Sequence, residues 1–155
     1  MLHHKKGNLL DLAEQGQFDV IVQGCNCFNT MGGGIAREIR ERYPAAAAVD
    51  GATRRGDRGK LGTWTSCDVG DTSHFTIINA YTQYNMSQGT DVFEYDAFAS
   101  ILQKLLLDHG RLRIGLPYIG MGLAGGDPDI IIPMISGFAE LVAELRGTVT
   151  LVEFG

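Results

Sequence analysis

The sequence predicts one α/β domain, and three observations carry that expectation. Strand and helix signals alternate along the whole chain. The 155 residues suffice for a single hydrophobic core. Glycines gather at strand-to-helix junctions and form no low-complexity run. No repeat, linker or shift in composition divides residues 1–155, so they read as one domain.

Each element has its own signal. Phe18-Asp19-Val20-Ile21-Val22-Gln23 is an apolar run bounded by Gly24, which predicts a buried strand. Thr30 to Gly34 forms a glycine loop, and Ile35 to Tyr43 reads as a helix stopped by Pro44. Residues 45–52 suggest a second short helix, and residues 54–62 a loop. Two strands are expected near residues 63–67 and 74–80, with Asp71 in the turn between them. The clearest helix is expected from Asp91, with Glu94 completing a capping box and Phe98, Ile101, Leu102, Leu105 and Leu106 forming one apolar face. Gly110 closes it. A strand over residues 112–118 leads into the loop 120–126. Asp127-Pro128 is a capped helix start, but Pro133 argues for a start nearer Ile131, with the helix running to Arg146. Residues 148–154 form the last expected strand, while His3 and His4 read as a mobile terminus.

Composition narrows the function. The chain is 45% hydrophobic and 20% charged, as in ordinary globular domains. Its 21 glycines are close to twice the number that an average usage of about 7% would give. The net charge is −5, and no Lys/Arg run supplies the basic face that nucleic-acid binding needs. Arg54, Arg55, Arg58 and Lys60, interrupted by Asp57, read as a solvated loop. Acidity does not exclude a phosphorylated small ligand, because backbone N–H groups and helix N-termini hold phosphate without basic side chains. Cys25, Cys27 and Cys67 lack metal-type spacing and read as thiols of a reducing compartment. Residues 1–6 are no signal peptide and no apolar run reaches membrane-spanning length, so a cytoplasmic location is expected, with no membrane partner, metal or cofactor.

Two loops carry the chemistry. In the first, Asn26 and Asn29 precede Gly32-Gly33-Gly34, which open a helix. Glycines there remove the Cβ atoms that would fend off an anion and leave the helix dipole facing outward. A tight strand-to-helix turn with Asn caps would also account for them. The second loop, Gly120-Met121-Gly122-Leu123-Ala124-Gly125, matches G-x-G-x-x-G in form. A dinucleotide fold needs more β-α units after its glycine loop than the one helix and one strand remaining here. Glu140 and Glu144 lie near the required acidic distance but inside that helix. Two such loops at the carboxyl ends of strands would meet at one crevice of a doubly wound sheet, and a ligand with two linked phosphates fits them.

Taken with Gly7-Asn8-Leu9-Leu10, Val20-Ile21-Val22-Gln23, Gly24-Cys25-Asn26, Gly32 to Ala36 and Ile119 to Asp127, the sequence resembles the macrodomain family over nearly its whole length. Gly24-Cys25-Asn26-Cys27 and Arg42-Tyr43-Pro44 are most similar to the branch that processes ADP-ribose 1″-phosphate. The resemblance implies a three-layer α/β/α sandwich around a mixed, mostly parallel six-stranded sheet, with a cleft for ADP-ribose. By that resemblance Asn8 and Leu9 meet the adenine, although many relatives carry Asp at the position of Asn8. Asn26 contacts the distal ribose. Gly32, Gly33, Gly34 and Ile35 line one side of the diphosphate, and Ile119, Gly120, Met121, Gly122 and Leu123 the other. Tyr81, Thr82 and Gln83 border the cleft.

The groups known to act in relatives transfer poorly. Ala36 stands where one branch carries an acid, and Gln23 where some phosphatase-type members carry His. The Lys of another branch, near 81–83, and its acid near Ala124 are missing. The catalytic candidates are therefore Asn26 and Asn29, which orient water or substrate, and Asp127, the acid nearest either loop. Asp127 also reads as a helix cap, and Cys25 as either a nucleophile or a buried thiol. The expected partner is ADP-ribose or ADP-ribose 1″-phosphate, free or protein-linked. The expected activity is hydrolysis of that phosphate or of an ADP-ribosyl bond, with a non-catalytic reader as the alternative.

Overall fold

The computed structural model describes residues 1–85, 92–122 and 124–155. In chain order the elements are β1 (Leu2–Lys6), α1 (Leu9–Glu14), β2 (Val20–Cys25), α2 (Gly34–Arg42), α3 (Pro44–Gly51), β3 (Trp64–Val69), β4 (Phe75–Tyr81), α4 (Tyr95–His109), β5 (Arg113–Leu116), α5 (Pro128–Glu144) and β6 (Thr148–Glu153). A short 3-10 turn, Arg58–Lys60, precedes β3. The strands form one sheet in the order β1-β6-β5-β2-β4-β3. Only β3 runs antiparallel to its neighbour.

The period-two geometry of a strand sends alternate side chains to opposite faces. Val20, Val22, Ile78, Ala80, Ile114 and Leu116 pack with Phe98, Ile101, Leu105, Ile131, Ile135 and Phe138 of α4 and α5. Ile21, Ile77 and Val152 pack on the other face with Leu9, Leu10, Ile39 and Ala46 of α1, α2 and α3. Because both faces are covered, the central strands are apolar at nearly every position. The result is the expected three-layer α/β/α sandwich around a mixed, mostly parallel six-stranded sheet.

Several elements differ from the sequence expectation. The segment with His3 and His4 is a strand paired in parallel with β6, not a mobile terminus. Its Leu-His-His-Lys-Lys side chains are almost all exposed, so backbone pairing, which leaves no hydropathy pattern, holds it. Helix α1 is six residues long, too short for a periodic signal. Helix α4 begins at Tyr95 with Glu94 as its N-cap, so the expected start at Asp91 is corrected; Asp91 itself lies outside the described residues. The chain before it is pinned in extended form, with Phe93 N–H donating to Ala124 and Glu94 N–H to Thr82. Helix α5 starts at Pro128, not near Ile131. Pro133 falls in its second turn, where its missing N–H removes a single bond close to the helix end.

Lys60 is the other correction. Arg54, Arg55 and Arg58 are exposed as expected. Lys60 is buried, donating to the Cys27 carbonyl at 3.1 Å and to Asn29 Oδ1 at 2.6 Å, with its ammonium 4.8 Å from the Tyr81 ring centroid.

Glu14 at the end of α1 ties three elements together. It accepts from Tyr43 Oη and from the backbone N–H groups of Asp71 and Thr72. These donors, Tyr43 foremost, hold its carboxyl down at about 2, against an ordinary 4.5. The folded state thus binds the proton more weakly than the unfolded chain does. The stability Glu14 contributes is complete above pH 4.5 and is lost as pH falls toward about 2. Thermal unfolding of Glu14→Gln should therefore show a lower midpoint at neutral pH and a shallower decline across that acid window. Parallel declines in both proteins would show that this carboxylate is not one of the acid-sensitive groups.

Candidate ligand cleft

Five parallel strands, β1, β6, β5, β2 and β4, end at the same edge of the sheet. The loops that follow them therefore converge there: Gly7-Asn8, residues 26–33, residues 82–85, residues 117–122 and 124–127, and Phe154. From β2 the chain moves through α2 and α3 toward the β3 side, and from β5 it moves through α5 toward the β6 side. The sheet order thus reverses between β2 and β5, where a doubly wound sheet opens a crevice outside its strand ends. The two glycine loops flank that point.

A cavity of about 640 Å³ opens at this edge. Gly7, Asn8 and Leu9 form one wall, Gly34, Ile35 and Glu38 of α2 a second, and Pro117 and Tyr118 after β5 a third. Val152, Glu153 and Phe154 complete it. Of the residues expected from sequence, Asn8, Leu9, Gly34 and Ile35 line this cavity. Asn26, Gly32, Gly33, Gly120, Met121 and Gly122 lie on the loops beside the crevice and outside its walls. Tyr81, Thr82 and Ile119 are buried beneath the loops, and Gln83 is half-buried, its amide donating to the Asn85 carbonyl. Leu123 lies outside the described residues.

Sequence reasoning did not assign Glu38, Pro117, Tyr118, Val152, Glu153 or Phe154. Two of them left a signal. Phe154 is an aromatic directly after the last strand, and it is 81% exposed. Glu38 follows Gly34 at i+4, which places it one turn along the same face of α2.

The first loop delivers an open helix end. Gly33 is the N-cap of α2, among the described residues no side chain caps the helix, and its first turn holds no acid. Free N–H groups and the positive end of the dipole are therefore left to a ligand. A Cβ built on Gly32 or Gly33 meets none of the described residues within 4 Å, and Gly33 is extended at φ −146°. Neither packing nor backbone conformation requires glycine there.

The second loop is organised differently. Gly120 is needed by the fold: its φ is +75°, and a Cβ would stand 2.4 Å from the Phe93 ring. Gly126 is needed as well, since a Cβ would stand 2.6 Å from the Gly120 carbonyl oxygen. Gly126 N–H closes the loop onto that same oxygen at 2.7 Å. Gly122, by contrast, is exposed and meets nothing within 4 Å. The end of α5 is already occupied, because Asp127 accepts from Asp129 N–H at 2.9 Å and Pro128 has no N–H to offer. This loop therefore presents its own backbone to the crevice and no open helix end.

No family model matches the chain. An uncharacterized 17.5 kDa protein of Enterobacteria phage T4 is 32% identical over 133 residues, covering 81% of this chain and 82% of the phage protein, and the two belong to one family. Among solved structures, the macrodomain of Mycobacterium tuberculosis DarG superposes with a TM-score of 0.71 at 20% identity, covering 99% of this chain and 97% of that one. The chain has the macrodomain fold. A second structure, Thermosipho africanus DarTG in complex with ADP-ribose, matches 97% of this chain and 41% of its own at a TM-score of 0.72 and 13% identity.

Within this fold the catalytic candidates hold structural bonds. Asn26 forms a local turn, its Oδ1 accepting from Phe28 N–H at 2.8 Å and its amide donating to Thr30 Oγ1 at 2.7 Å. Asn29 is left-handed at φ +58°. Its amide donates to the Thr53 carbonyl, while its oxygen accepts from Thr53 Oγ1 and Lys60 Nζ. Asp127 caps α5, and its N–H donates to Tyr95 Oη at 2.9 Å. Cys25 is buried, and that burial pushes its thiol far above the usual range, so the buried-thiol alternative holds over the nucleophile.

Beneath the first loop lies a polar chain in the α3 layer. Gln23 donates to Asn79, Asn79 donates to Thr65 Oγ1 and to the Ala46 carbonyl, and Tyr81 Oη donates to Asp50 at 2.7 Å. Gln23 is therefore turned into the core, away from the cleft where some relatives are expected to carry a working His. Among the described residues no cluster of three His, Cys, Asp or Glu could hold a metal, and no helix is long and apolar enough to cross a membrane.

Proposed function

We propose that this macrodomain binds ADP-ribose along the crevice and removes the 1″-phosphate from ADP-ribose 1″-phosphate, giving ADP-ribose and inorganic phosphate. One observation carries the binding reading. Gly32, Gly33 and Gly122 are glycines the fold does not require, and they stand on the two loops that flank the sheet's switch point. Space kept clear there, beside an uncapped helix N-terminus, suits a diphosphate held by backbone N–H groups. The 640 Å³ cavity adjoining it, with exposed Phe154 at its rim, suits a base that stacks on an aromatic face. Thermosipho africanus DarTG, 41% of whose chain matches this fold, is in complex with ADP-ribose, which supports the same ligand class for this chain.

Hydrolysis in this site rests on orientation. The phosphate at an anomeric carbon is an activated ester, and oriented donors with a positioned water lower its barrier without a strong base. In this proposal Asn26, on the first loop, holds the distal sugar or that water. Asn26→Ala is expected to lower the rate of phosphate release by about tenfold or more, with ADP-ribose affinity changed by less than about threefold. Equal turnover in the variant would remove Asn26 from the mechanism.

A second reading, an ADP-ribose reader without turnover, is favoured by the spent hydrogen bonds of Asn26, Asn29 and Asp127. Incubation with ADP-ribose 1″-phosphate decides between the two. Phosphate release that scales with enzyme and is lost in a cleft variant supports the hydrolase, and binding without release supports the reader.

A further inference from the structure

We infer that Glu38, on the second turn of α2, selects the base of the bound nucleotide by accepting a hydrogen bond from its exocyclic amino group. The inference rests on the reading that the base of ADP-ribose occupies the 640 Å³ cavity. Asn8, the residue expected from sequence to meet the base, has no acceptor to spare for an amino group. Its Oδ1 accepts from Leu10 N–H and Asp11 N–H at 2.9 and 3.0 Å, capping α1. Its amide donates to Glu38 Oε1 at 2.8 Å.

Glu38 is placed by a frame around it. Besides Asn8, Arg42 one turn on donates to the same Oε1 at 3.3 Å, and Arg42 is itself held by Asp11 at 2.8 Å. Both bonds to Glu38 fall on Oε1; among the described residues Oε2 has none, and the residue forms part of the cavity wall. Its side chain is 33% exposed, enough to be reached and little enough to be fixed. The other carboxylate of the cavity, Glu153, is more exposed and pairs with Lys6.

An ionised carboxylate only accepts hydrogen bonds. Adenine offers it an amino group, whereas hypoxanthine and guanine put a carbonyl oxygen at that position. A fixed acceptor bonds the first and repels the second, which leaves two facing oxygens without a donor.

The test is calorimetric titration with ADP-ribose and with its hypoxanthine counterpart, inosine diphosphate ribose. The native protein is expected to prefer ADP-ribose by at least about tenfold. Glu38→Gln keeps an oxygen for Asn8 and Arg42 and turns an amide N–H toward the cavity. In that variant the preference should vanish or reverse. Glu38→Ala, which removes the group altogether, should bring the two affinities within about threefold. Native protein that binds both nucleotides equally, or variants that keep the native ratio, would overturn the role of Glu38 while leaving the cleft intact. Native protein that binds neither would overturn the cleft reading itself.

Discussion

Gly33→Glu abolishes ADP-ribose binding and leaves the fold standing. The substitution separates the two because of where Gly33 sits. A Cβ there meets nothing within 4 Å, and its extended backbone accepts any residue, so the folded chain has no cause to object. Exchanging one uncapped N-cap residue for another costs under about 1 kcal/mol, or roughly 2–4 °C in the unfolding midpoint of a domain this size. A ligand sees something different. The new carboxylate stands over the bare first turn of α2, competes for its N–H groups and repels a diphosphate at close range. Affinity should fall by at least about a hundredfold. Calorimetry beside a thermal melt checks both halves, and a folded variant with retained affinity would move the diphosphate away from this loop.

The second large effect comes from the other loop and has the opposite character. Gly120→Ala is expected to destabilise the protein, because alanine at φ +75° is strained and its Cβ would stand 2.4 Å from the buried Phe93 ring. The conformational term costs about 1–2 kcal/mol and overpacking a further 1–3. Two positions on, Gly122→Ala meets no neighbour and should leave the midpoint within a few degrees. Chemical denaturation of the pair checks this. A Gly120→Ala protein as stable as the native one would mean that Phe93 and the loop can separate without cost.

These two predictions also mark what the sequence could tell. Both glycine loops, their places after strands and their meeting at one crevice were legible, because glycine runs at strand-to-helix junctions are local signals. Which glycine serves the fold and which leaves room was not. For Gly120 that distinction depends on Phe93, distant in sequence and 2.4 Å from where a Cβ would stand. Five strands were expected from the sequence itself. The sixth, Leu2–Lys6, lies at the sheet edge with exposed side chains and came only from the resemblance to macrodomains.

The residues around the base cavity were harder to see. Glu38 and Phe154 come from α2 and from the end of β6, far apart along the chain, and only the topology joins them. Lys60 looked like one charge of a solvated loop until the structure showed its ammonium tied to Cys27 and Asn29. The candidates for catalysis, Asn26, Asn29 and Asp127, were read as residue types near the loops. Their engagement in turns and caps, which limits what chemistry they can do, is a matter of side-chain geometry that no spacing rule conveys.

The most direct test of the account is calorimetric titration of the native protein with ADP-ribose, with AMP and the intact nicotinamide dinucleotide as comparisons. The account predicts one site per chain and a clear preference for ADP-ribose over both. Absence of binding, or a preference for the dinucleotide, would contradict the central claim that the two glycine loops hold the diphosphate of ADP-ribose.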